Sequence, residues 1–162
     1  MTNPSSNRID SASRVIMASP KAIYHAFMDP EALGVWLPPE GMSAHIDSYD
    51  PRPGGTYRIT LIYENESSGH GKTSENTDVS QGRFLELVPD TKIVQSVNFN
   101  SDDPSFSGEM IQTWYLEALS EGTRVIIVCE NVPPGIRKED HDTGLRSTLE
   151  NLASFAKNFD ES

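Results

Sequence analysis

Cys129 is the only cysteine among 162 residues, so the chain forms no disulfide within itself and lacks the thiolates of a cysteine-based zinc site. A cytoplasmic, reducing compartment is therefore expected. Basic residues are scarce: 13 Lys and Arg stand against 24 Asp and Glu, a net charge of −11. A field of that sign repels phosphate backbones and anionic lipid, which argues against nucleic acid and membrane surfaces as partners and for an acidic, soluble protein. No run approaches 18 consecutive apolar residues, and residues 1–7 carry no basic apolar leader, so neither a transmembrane helix nor a signal peptide is expected. The four histidines, His25, His45, His70 and His141, show no helical metal-ligand spacing, and no GxSxG marks a nucleophile elbow. No metal, no cofactor and no catalytic residue is expected, and the chain reads as a binding protein more than as an enzyme.

What is present is a change of period. Residues 1–7 read as a flexible tail and 8–160 as one domain. After a first strand over 8–17, Ser19-Pro20 opens one helix and Asp29-Pro30-Glu31 a second; each has an N-capping side chain followed by proline at the first helical position. From Met42 to Glu130 the apolar period is 2, and six strands are expected at 43–50, 56–64, 79–88, 92–100, 109–119 and 124–130. The period then returns to 3.6 over 138–158. Leu145, Leu149, Leu152, Ala156 and Phe159 share one helix face there and require a large apolar partner. The order β-α-α-β6-α thus predicts an α+β helix-grip fold, in which a curved antiparallel sheet of about seven strands holds the C-terminal helix against its concave face.

Strand alternation names the candidate walls of a cavity. Tyr57, Ile59, Leu61 and Tyr63 share a face, as do Ile93, Gln95, Val97 and Phe99, then Met110, Gln112, Trp114 and Leu116, and finally Val125, Ile127 and Cys129. Two glutamines on an apolar face need partners: each other, water or a ligand. The candidate ligand-binding set is Trp36, Tyr57, Gln95, Val97, Phe99, Gln112, Trp114, Cys129, Leu145 and Leu149. The alternative for these residues is a filled core, with the glutamines bonded locally near the rim. Tyr57, Arg83 and His45 are the candidate proton-handling groups, should they converge. Cys129 reads as a buried inert thiol, and Asp50 with Arg52 as an ion pair at the entry to a strand. Gly69-His70-Gly71-Lys72-Thr73-Ser74 ends like a phosphate loop, but Glu66 stands where the first glycine is needed and no apolar helix follows, so a hairpin loop is expected.

An ordered set of segments resembles the START-like, Bet v 1-like (SRPBCC) superfamily, and within it the branch similar to the C-terminal domain of the activator of Hsp90 ATPase. The set comprises Ala18-Ser19-Pro20, Asp29-Pro30-Glu31 with Trp36, and Asp50-Pro51-Arg52-Pro53-Gly54-Gly55. It continues with Gly82-Arg83-Phe84-Leu85-Glu86-Leu87-Val88-Pro89, Gly122-Thr123-Arg124, and Gly144-Leu145 with Leu149, Asn151 and Leu152. Leu145 stands where that family often has tryptophan, and Cys129 where it often has histidine. The resemblance implies three functions: binding of a small hydrophobic or aromatic molecule, a chaperone-associated module, or a polyketide cyclase or aromatase. The first is the leading expectation, and monomer and homodimer are both left open.

Overall fold

The structure, a computed structural model, describes residues 8–38, 41–63, 77–99, 103–106 and 108–156. Its elements follow the expected order: β1 (Ile9–Ile16), α1 (Pro20–Met28), α2 (Pro30–Trp36), β2 (Met42–Tyr49), β3 (Thr56–Tyr63), β4 (Thr77–Val88), β5 (Lys92–Phe99), β6 (Met110–Leu119), β7 (Gly122–Glu130) and α3 (Lys138–Ala156). The seven strands form one antiparallel sheet in the order β1-β7-β6-β5-β4-β3-β2, so β2 to β7 meander and β1 joins at the far edge. Phe159, His70 and the segment resembling a phosphate loop lie outside the described residues. Among the described residues, no helix is long and apolar enough to cross a membrane.

Local chemistry explains the helix starts. The Ser19 hydroxyl accepts from the Ala22 N–H at 3.1 Å and the Asp29 carboxylate from the Glu31 N–H at 3.0 Å, each satisfying an amide that the first helical turn leaves open. The open carbonyls at the end of α2 are met by α3: Thr148 Oγ1 donates to the Leu37 carbonyl at 3.2 Å and Asn151 Nδ2 to that of Pro38 at 2.8 Å. Leu145, Leu149, Leu152 and Ala156 of α3 are buried, and each leucine contributes about 2 kcal/mol by leaving water. Trp36, Phe27 and Trp114 pack edge to face, with ring centroids 4.7 to 5.8 Å apart. This cluster ties α1 and α2 to the middle of the sheet.

Two bulges tune which residues face inward. The register of β2 on β3 shifts between Ile46 and Ser48, which turns Tyr49 toward the concave side, where its hydroxyl donates to the Phe27 carbonyl. The second shift falls between Phe84 and Glu86 on β4. Near it, Tyr57 is paired with Gly82 and sends its hydroxyl across to the Ser96 carbonyl at 2.6 Å. A Cβ at Gly82 would lie 1.9 Å from that same carbonyl oxygen. Gly82→Ala must therefore push β4 from β5, and we expect a loss of about 3 kcal/mol in urea unfolding. An unchanged midpoint would show that the close strand approach is dispensable.

Arg52 Nε donates to Asp50 Oδ2 at 2.8 Å in the turn before β3. The pair lies at the surface, so its role is to shape the turn.

Candidate functional site

Between the sheet and α3 lies a cavity of about 620 Å³, within the range that small organic ligands occupy. Its floor comes from β3, β5 and β6 through Tyr57, Ile59, Leu61, Val97, Phe99, Met110 and Trp114; α1 and α2 close one side with Phe27, Leu33 and Leu37; α3 and the segment before it supply the roof with Ile136, Leu145 and Thr148. A filled core is thus not what the sheet and helix make.

Of the ten residues expected around a ligand, Tyr57, Gln95, Val97, Phe99, Gln112, Trp114 and Leu145 line this cavity, while Trp36, Cys129 and Leu149 do not. The physical reason differs for each. Trp36 is turned into the aromatic cluster and its Nε1 donates to the Ala26 carbonyl at 3.0 Å. Leu149 is fully covered in the main core. Cys129, also fully buried, lies behind the glutamines with Sγ 3.7 Å from Gln112 Oε1. Burial, and secondarily the charge of Asp10, pushes its thiol up to about 12, so it is a neutral, unreactive group at physiological pH.

The expected proton-handling trio does not assemble. His45 faces solvent from β2, where Nε2 pairs with Asp47 Oδ1 at 3.3 Å, because Met42 and Ala44 occupy the inward phase of that strand. Arg83 is exposed on β4. Tyr57 alone reaches the cavity, and its hydroxyl is raised well above the usual phenol range, by burial first and then by Tyr49.

The sheet brings together a polar row that alternation within single strands does not reveal. Asp10 on β1 pairs in register with Cys129 on β7, Cys129 with Gln112 on β6, and Gln112 with Gln95 on β5. Register partners point to the same face, so a polar line of about 14 Å, three strand spacings, runs across the concave side of the sheet, and its Gln112 and Gln95 end lies on the cavity floor. His141 of α3 completes it: Nδ1 lies 2.6 Å from Asp10 Oδ2, and the ring lines the cavity. Arg8 grips the same carboxylate through its guanidinium, with Nη2 donating to Oδ2 at 2.8 Å, and Lys138 Nζ is 3.6 Å from Oδ1. Burial acts most strongly on Asp10 and would raise its carboxyl; the hydrogen bonds and charges of Arg8 and His141 together prevail and hold it at about 2. Asp10 is thus a buried, ionised acceptor.

A second polar group sits on the β3–β4 side. The Tyr63 hydroxyl donates to Asp78 Oδ2 at 3.1 Å, and both residues line the cavity with Asp140 from the first turn of α3. Burial, then the Asp78 and Asp140 charges, raises the Tyr63 phenol. That part of the cavity is acidic.

Asp10 and His141 were missed from sequence, although the signal is there. Asp10 has the strand parity of the buried Ile16, and His141 stands one turn before Leu145 on the apolar stripe of α3. A polar residue in phase with a buried face is the mark both share.

Comparison with known proteins agrees with the fold. The family described as Activator of Hsp90 ATPase homolog 1-like protein matches residues 17–157. Among solved structures, the chain is similar to a crystal structure of a protein from Chromobacterium violaceum, at 35% identity over 92% of this chain and 96% of that one, with a TM-score of 0.81. Proteins from Rhizobium loti (24% identity, TM-score 0.70, 91% and 96% covered) and Rhodobacter sphaeroides (19% identity, TM-score 0.74, 96% and 96% covered) share the architecture. No curated protein matches the chain.

Proposed function

The chain belongs to the Activator of Hsp90 ATPase homolog 1-like family, a START-like, Bet v 1-like (SRPBCC) family, and from that premise we propose that it binds a small apolar or aromatic molecule between sheet and C-terminal helix without transforming it. One observation carries the reading: a cavity of about 620 Å³ with aromatic and aliphatic walls and the paired Gln95 and Gln112 on its floor. Apolar walls favour burial of a hydrophobic body, while the two amides orient its polar end and leave no buried donor idle once a ligand is bound. The cyclase-type alternative loses its proposed acid and base, since His45 and Arg83 face solvent. The chaperone-associated alternative rests on the family description alone.

The test uses a neutral dye, N-phenyl-1-naphthylamine, whose fluorescence rises in apolar surroundings. The protein is expected to bind it saturably and to unfold at a higher temperature in its presence. Val97→Phe, which fills the cavity from the floor, is expected to weaken binding by about tenfold or more, equivalent to about 1.4 kcal/mol, while the dye-free protein keeps its unfolding temperature. Equal binding by both proteins would move the dye out of the cavity and remove the proposal.

A further inference from the structure

We infer that Gln95 and Gln112 form a hydrogen-bond-donating pair on the cavity floor, and that the pair selects apolar ligands whose polar end is a neutral carbonyl group. The inference deepens the ligand-binding reading above and rests on it.

Gln95 on β5 and Gln112 on β6 are register partners, so their side chains leave the sheet on one face with Cβ atoms about 5 Å apart. Both line the cavity. The neighbouring pairs on the same face, Ile93 with Trp114 and Val97 with Met110, are apolar and buried. Across the strands, Gln95 has the buried Phe84 on one flank and Gln112 has Cys129 on the other. Cys129 supplies the one hydrogen bond, with Sγ 3.7 Å from Gln112 Oε1. Among the described residues, neither the Gln95 side chain nor Gln112 Nε2 makes a hydrogen bond to the protein.

The thiol fixes which way the Gln112 amide turns. A neutral thiol has one proton to give, and Gln112 Oε1 receives it; burial keeps Cys129 in that neutral form. Nε2 is then the end of the amide turned from Cys129, and its N–H groups are unspent. Gln95 can present its own Nε2 beside it. Other protons on the cavity wall are already committed: those of Tyr49 and Tyr57 go to the Phe27 and Ser96 carbonyls, and that of Thr148 to the Leu37 carbonyl. A carbonyl oxygen has two lone pairs and no proton, so it takes one N–H from each glutamine and leaves nothing on the ligand to satisfy. A hydroxyl brings a proton as well, and one glutamine would have to turn its oxygen inward to receive it and so withdraw a donor. The apolar flanks lower the local dielectric, which strengthens both bonds to the carbonyl.

Two probes of one shape test this: 2-acetonaphthone and 2-isopropenylnaphthalene, in which a methylene group replaces the carbonyl oxygen. Their affinities for the full chain are read from displacement of N-phenyl-1-naphthylamine. The ratio of ketone to alkene affinity cancels any change that a substitution makes to the cavity as a whole. It is expected to fall about tenfold from wild type to Gln112→Met, and further when Gln95→Met is added, as the loss of one and then two hydrogen bonds in an apolar site allows. Isotope-edited infrared spectra give a second readout. The carbonyl stretch of acetonaphthone bound to wild type should lie below its frequency in hexane, and should return toward that frequency in the double variant. Because the wild-type spectrum decides by itself, poor folding of a variant does not block the test. A stretch at the hexane frequency in wild type, or an undiminished ratio in a folded variant, overturns the pair while leaving the cavity intact. Binding of the dye with displacement by neither probe overturns the pair alone, whereas failure of the dye and both probes to bind overturns the cavity reading and the pair with it.

Discussion

Trp114→Ala is expected to lower stability by about 3 to 5 kcal/mol, the range for removing a buried large aromatic. Trp114 is 1% exposed, stands at the centre of the sheet, and meets Phe27 and Trp36 edge to face. Its ring lines the cavity and belongs to the aromatic cluster with Phe27 and Trp36. The neighbours cannot close over the gap: Trp36 is held by the Ala26 carbonyl, and Ile93 and Ile127 are fixed in register on the flanking strands. The void therefore persists and the penalty falls near the top of the range. Urea unfolding followed by far-UV circular dichroism gives the number. A loss below about 1 kcal/mol would mean that the two helices do not depend on this ring for their docking.

Asp10→Ala should be nearly as costly, at about 3 kcal/mol near neutral pH, because it leaves the partners of a buried charge without their acceptor. The value sits at the lower end of the range for broken buried pairs because Lys138 is 61% exposed and can turn to water. The same residue dictates a pH dependence. Its carboxyl is held at about 2 in the folded protein against an ordinary 3.8, so the unfolded chain binds the proton more readily. The contribution is fully present above pH 4 and is lost as pH falls through about 2. The depression corresponds to about 2 kcal/mol. Wild type should lose that increment between pH 4 and pH 2, and Asp10→Ala should lack it. Parallel acid limbs for the two proteins would show that Asp10 is not strongly held.

These effects differ in how far they could be foreseen. Inward-facing residues on β3, β5, β6 and β7 were legible because alternation is a property of the strand itself, and Val97, Gln112 and Trp114 stand where that alternation puts them. Helix starts were legible for the same local reason, since Ser19 and Asp29 cap within three residues. Trp36 and Leu149 were also read correctly as inward-facing, but depth within the core depends on what packs above them, and both lie under other side chains. His45 had the wrong phase to meet Tyr57, a fact that the bulge between Ile46 and Ser48 obscures when β2 is read alone.

By itself, the order of amino acids determined the elements, their sequence and the apolar faces that oblige a curved sheet to hold α3, because caps, periodicity and turn residues act over a few positions. Only the tertiary structure decided that sheet and helix leave a cavity, and that Asp10, Cys129, Gln112 and Gln95 form one polar row whose Gln112 and Gln95 line it beside His141. Asp10 and His141 are separated by 131 positions, and their contact depends on strand register and helix docking, which no local pattern encodes.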